Sequence, residues 1–131
     1  MTSYVSHTSV DCGDAYALAL FWSDVLGYRE LPDEPLRAGD DECLIVDPGS
    51  GHQILFIEVP EPKSVKNRIH FDLRPREGTR DAELERLLEL GATQVADHRG
   101  QCGPGTGWVI LADPEGNEFC ILRSEAESNA G

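Results

Sequence analysis

DPGSGHQILF, residues 47 to 56, and DPEGNEFCIL, residues 113 to 122, carry one pattern twice. Each opens on Asp-Pro, closes a short turn with glycine and runs into a strand-like apolar stretch, the order expected of a tight turn feeding a β-strand. A motif met once in each half of a chain raises the question of duplication. Where duplication holds, it decides the architecture.

Outward from the first copy, residues 42–47 and 52–59 read as a hairpin, with a further strand-like run near 28–32. Upstream, Leu18, Phe21, Trp22, Val25 and Leu26 recur at the spacing of one helix face. Asp14 stands where an N-cap belongs and Gly27 where a helix ends, which predicts a helix over 15–26. Residues 4–12 alternate loosely and supply the strand before it. Outward from the second copy lie strands near 117–123, 107–112 and 92–97, and a helix over 80–90 with Leu84, Leu87 and Leu88 inward. Ahead of that helix, NRIHFDLRP (67–75) predicts a strand over 67–74, with Ile69, Phe71 and Leu73 on one face and Arg68, His70, Asp72 and Arg74 on the other.

The order is therefore strand, helix, three strands, twice, with His7 and His70 at matching distances ahead of the glycines in LGY and LGA. The apolar positions of the two helices match in place but not in phase. Between the halves, PEPKSVKN reads as an extended connector. The expected organisation is one domain over 1–124, made of module one (1–59), a linker (60–66) and module two (67–124), followed by a flexible tail over 125–131.

Composition narrows the function. With 131 residues, 40% hydrophobic and 27% charged, the chain suits one globular domain. A net charge of −13 repels phosphate backbones and anionic lipid alike, so neither nucleic acid nor membrane is an expected partner. The longest apolar run, AYALALFW, is too short to span a bilayer, and the N-terminus lacks the basic flank of a secretory signal, which together predict a cytoplasmic protein. Cys12, Cys43, Cys102 and Cys120 form no close pair and read as reduced thiols. No nucleophile elbow or dinucleotide-binding glycine pattern is present.

FWSDVLGY, VPEPKSVKNRIHFDLRP, LELGAT and VILADPEGNEFCIL, in that order, resemble the glyoxalase-like subset of the vicinal oxygen chelate superfamily, which includes glyoxalase I, bleomycin-resistance proteins and extradiol dioxygenases. The resemblance covers nearly the whole chain. It implies an α+β fold of two βαβββ modules whose mixed sheets curl around a cleft, commonly in a homodimer. In metal-using members a divalent ion takes one ligand from the first and one from the last strand of each module, and stabilises charge developing on neighbouring substrate oxygens.

Carried over residue by residue, the resemblance puts His7 and His70 at the two first-strand ligand positions. The last-strand carboxylate of module two is replaced by Cys120, and the matching place in module one falls on Leu55, Phe56 or Ile57. Glu118, one pleat nearer the turn, is the nearest carboxylate in module two, and Glu58 serves module one only after a register shift. The candidate metal set is thus His7, His70, Glu118 and Cys120, with Asp72 and Trp108 in the cleft and His70 and Glu118 as candidates for proton transfer. Too few good donors remain to favour a bound divalent metal, and no other cofactor is implied.

The expectation is a protein that binds a small molecule in its cleft, with lyase, isomerase or dioxygenase-type chemistry if it is an enzyme. The alternative is a metal-free sequestering protein of the bleomycin-resistance type. Trp22 is expected in the core. The glycine-rich loop GQCGPGTGW (100–108) reads first as a plain strand connection and second as a lid. Lys63, Lys66 and Arg68, the densest basic cluster, read first as solvated linker and second as steering for an anion.

Overall fold

The structure, a computed structural model, describes residues 1–130. It forms two compact units, Met1–Lys63 and a second beginning at Ser64.

In the first unit, β1 (Thr8–Cys12) leads to α1 (Ala15–Leu26), then β2 (Glu42–Val46) and β3 (Gln53–Glu58). The sheet order is β1-β3-β2, with β1 parallel and β2 antiparallel to β3. Asp14 caps α1 by accepting the Ala17 N–H at 3.1 Å, and Gly27 ends it at φ 74°, a left-handed conformation that glycine adopts without penalty. Leu18, Trp22 and Val25 of α1 are buried, as are Ile45, Ile54 and Phe56 of the sheet, so Trp22 is core as expected. Asp14→Ala is expected to cost about 1 kcal/mol, read by urea denaturation, because the first turn loses its side-chain acceptor.

The strand expected near 28–32 shrinks to one bridge, in which Arg29 and Val46 exchange N–H···O bonds at 2.8 Å. Pro32 has no N–H with which to continue a ladder.

The second unit repeats the plan. Its elements are β4 (Asp72–Leu73), α2 (Arg80–Leu90), β5 (Thr93–Asp97), β6 (Val109–Ala112) and β7 (Glu118–Ile121), with sheet order β4-β7-β6-β5. β4 runs parallel to β7, as β1 does to β3. Leu84 and Leu87 of α2 are buried together with Val109, Leu111, Phe119 and Ile121, whereas Leu88 is only half-buried. No helix among the described residues is long and apolar enough to cross a membrane.

Both Asp-Pro turns are built alike. The Asp47 carbonyl accepts from Gly51 N–H and the Asp47 N–H donates to His52; the Asp113 carbonyl accepts from Gly116 N–H and the Asp113 N–H donates to Asn117. Each aspartate also folds its carboxylate over the turn, taking the Gly49 N–H at 3.0 Å in one and the Asn117 N–H at 3.0 Å in the other. The first turn is one residue longer, which explains why sequence alone leaves the alignment of Leu55, Phe56 and Ile57 open.

The strand expected over 67–74 requires correction. The strand over 67–74 is regular only at Asp72–Leu73, because the Asn67 side chain takes over the pairing: its Oδ1 accepts the Glu118 N–H at 2.8 Å and its Nδ2 donates to the Glu118 carbonyl at 3.0 Å. With the backbone displaced there, Ile69 is 85% exposed and packs on neither face. The segment expected as a tail carries a short helix, α3 (Glu125–Ala130), and residue 131 lies outside the described residues. Ser124 accepts the Glu127 N–H at 3.1 Å while Glu127 accepts the Ser124 N–H at 2.8 Å, a reciprocal capping box written in the sequence as Ser-x-x-Glu.

Candidate functional site

β7 pairs on both sides, and the register sets a row of side chains across the sheet. Asp72 lies opposite Cys120, and Cys120 opposite Ile110. Strand alternation adds Glu118 and Leu122 to the face that carries Cys120, leaving Phe119 and Ile121 for the core beneath. Together with His70, Lys66 and Trp108 these residues line a cleft of about 450 Å³ within the second unit. Its apolar lining is Trp108, Ile110, Phe119 and Leu122, and its polar lining is Lys66, His70, Asp72, Glu118 and Cys120.

Those polar groups are already engaged with one another. His70 Nδ1 lies 3.4 Å from Asp72 Oδ1, and Lys66 pairs with Glu118. Burial pushes the Cys120 thiol up, reinforced by its hydrogen bond to the Asp72 carboxylate, to about 11. Cys120 is therefore a thiol in the fold at neutral pH. It is expected to react with iodoacetamide about 100-fold more slowly than a free cysteine, which mass spectrometry of a timed alkylation would check. Because the unfolded chain loses this proton first, the contribution of Cys120 to stability is intact below the ordinary thiol range and is lost as pH rises toward 11.

Trp108 is held from behind. Its ring lies 5.0 Å from that of His98 at a 31° tilt, the His98 N–H donates to the Trp108 carbonyl at 2.9 Å, and Gln101 Nε2 meets His98 Nδ1 at 2.9 Å. The glycine-rich loop beside it is pinned, which favours the plain-connection reading over the lid. Arg80, 5% exposed, donates from Nη1 to the carbonyls of Thr106 and Gly107 at 2.8 and 3.1 Å. Arg99 ties the base of the loop to Asp97 and Asp81, and its guanidinium holds the Asp97 carboxyl down at about 2.

His70, Asp72 and Cys120 offer a nitrogen, an oxygen and a sulfur all within 4.8 Å of one another, the one such group among the described residues. Glu118 stands outside it, committed to Lys66. This donor set does not fit a manganese-class ion, which favours oxygen ligands. A zinc-class ion accepts sulfur and nitrogen but would have to displace a proton that burial and Asp72 both retain.

The other expected site residues lie in the first unit. His7, exposed, precedes β1 and meets Ser6 Oγ at 3.0 Å. In the parallel registers Ser9 faces Leu55 just as Asp72 faces Cys120, so His7 and His70, each two residues earlier, occupy equivalent positions, and Leu55 is the counterpart of Cys120. Glu58 does not serve the first module's ligand position: its carboxylate accepts the Ala15 N–H at 3.1 Å at the start of α1. Sequence reading passed over His52, whose two ring nitrogens lie 2.9 Å from Tyr28 Oη and 3.1 Å from Thr8 Oγ1. With both nitrogens occupied, its role is to fasten β1 to the turn before β3.

Among solved structures, the fosfomycin resistance protein FosX of Listeria monocytogenes, complexed with Mn(II) and a dihydroxypropylphosphonic acid, superposes with a TM-score of 0.67 at 19% identity, over 97% of this chain and 94% of that one. FosX of Mesorhizobium loti gives 0.65 at 15% identity over 100% of both chains. A possible glyoxalase from Bacillus cereus gives 0.64 at 14% over 92% of this chain and 99% of that one. At such identities these likenesses show the fold alone. No curated protein matches the chain. The profile of the family described as Glyoxalase-like domain matches residues 7–122. With nearly its whole length matched and two units built on one plan, the chain belongs to the glyoxalase-like domain family of the vicinal oxygen chelate superfamily.

Proposed function

We propose that this protein binds a small organic molecule in the cleft of its second unit without a resident metal ion, in the cytoplasm and as a homodimer. The observation that carries the reading is the composition of the cleft: an aromatic and aliphatic lining that includes Trp108, Ile110 and Leu122, with a compact polar group of His70, Asp72 and Cys120. Ligand sites typically combine an apolar lining with a few convergent polar groups in this manner. Metal-free binding is supported by the sulfur at position 120 and by the engagement of Glu118 with Lys66.

If the ligand is turned over, in chemistry of lyase, isomerase or dioxygenase type, His70 is the group for proton transfer. Asp72 at 3.4 Å would stabilise its imidazolium form. Glu118, neutralised by Lys66, is less suited to that task than its position on β7 suggests.

A second reading is favoured by the 4.8 Å cluster: a zinc-class ion on His70, Asp72 and Cys120 with an open fourth position. Elemental analysis of the purified protein before and after dialysis against a chelator separates the two. The metal-free reading expects well under one ion per chain throughout, with aromatic-fragment affinity unchanged by dialysis. One retained ion per chain, lost in His70→Ala, would establish the second reading in its place.

A further inference from the structure

The charges around the cleft do not balance, and the imbalance points to a ligand class. Glu118 and Lys66 cancel as a pair. Among the described residues no lysine or arginine pairs with Asp72: its neighbours are the Cys120 side chain and His70, whose Nδ1 lies 3.4 Å from Asp72 Oδ1. The Asp72 side chain, though in contact with His70 and Cys120, is 52% exposed, so its carboxylate remains accessible in a cleft whose apolar lining is Trp108, Ile110, Phe119 and Leu122.

We infer that the cleft selects a flat, largely apolar organic cation, an amine or amidine carried on an aromatic or conjugated body, with the ring against Trp108 and the positive group on Asp72. This rests on the small-molecule reading above and narrows it. A charge-assisted hydrogen bond to a carboxylate is stronger than a neutral one, and it gains from the low polarity of the adjoining wall. The same cleft carries the Trp108 ring, and an aromatic face adds its own attraction for a cation. The net charge of −13 draws cations toward the protein and repels anions. An anionic ligand would meet Asp72 directly, and the nearest cation, Lys66, is already spent on Glu118.

The test is calorimetric titration at neutral pH and low ionic strength with three probes of one shape: naphthylmethylammonium, naphthalenemethanol and naphthoate. The ammonium is expected to bind about tenfold more tightly than naphthoate, the sum of one attraction gained and one repulsion avoided. Asp72→Asn should collapse that ratio. Lys66→Ala, which frees Glu118, should widen it; a merely structural role for either residue would not move the ratio in opposite directions. Equal affinities for ammonium and naphthoate, or a ratio untouched in Asp72→Asn, would overturn the cation assignment while binding of the alcohol leaves the cleft itself standing. Failure of all three probes to bind would overturn both.

Discussion

Gly107→Ala is expected to destabilise the second unit by about 3 kcal/mol or more, the sum of a steric overlap and a forbidden backbone conformation. Gly107 sits at φ 89°, and a Cβ placed there would fall 2.0 Å from the His98 carbonyl oxygen and 2.9 Å from Arg99 Cα. Both are backbone atoms on the opposite side of the β5–β6 connection, so no side chain can swing aside to relieve the clash. The strand ends must separate. Because His98 and Trp108 are hydrogen-bonded across that point and their rings stack, the wall of the cleft is displaced with them. Denaturant unfolding would measure the loss. Retention of wild-type stability would show that the connection is loose there, contrary to the close approach described.

Arg80→Ala should have an effect of similar size, about 3 kcal/mol, by a different route. Its guanidinium is buried and supplies the hydrogen bonds from Nη1 to the Thr106 and Gly107 carbonyls. Truncation would leave those carbonyls short of a donor and open space beneath the loop. Arg80→Lys should rescue little, since one ammonium cannot reproduce the planar fork that spans two carbonyls and Asp81. The readout that separates loop anchoring from general destabilisation is protease sensitivity: cleavage within 100–107 should rise in Arg80→Ala at temperatures where far-ultraviolet circular dichroism still shows a folded chain. A loop as resistant as wild type would mean that the anchor is elsewhere.

The architecture was readable because duplication constrains it twice. Asp14 and Gly27 delimit α1 by capping chemistry that depends on local sequence alone, and the two Asp-Pro turns repeat the same carboxylate-to-backbone bonds. What escaped was decided by side chains reaching across sequence. Nothing in NRIHFDLRP reveals that Asn67 displaces the backbone from the ladder opposite Glu118, since its partner is 51 residues away. The same holds for Arg80, which by helical position alone is an ordinary charge in a first turn, and for His52 between Tyr28 and Thr8. The capping box at Ser124 was written locally and could have been found.

The candidate site divides along the same line. His70, Asp72, Glu118, Cys120 and Trp108 share one face by strand alternation, and the structure gathers all five around the cleft. Their chemical states were not legible. That Glu118 is paired, that Asp72 has no lysine or arginine partner among the described residues and that the Cys120 proton is retained depend on distances set by the β4–β7 and β6–β7 registers. These distances turn an apparently depleted metal site into a cleft with its own polarity.

The central claim, that this cleft takes an aromatic small molecule with no metal present, is tested most directly by a nuclear magnetic resonance titration of chelator-dialysed, ¹⁵N-labelled protein with naphthalenemethanol. Saturable shifts of the Trp108 indole N–H and of the amides from Glu118 to Leu122 are predicted, with the buried Trp22 indole unmoved. Shifts confined to other surfaces, or restored at Trp108 only when a divalent ion is added back, would contradict it.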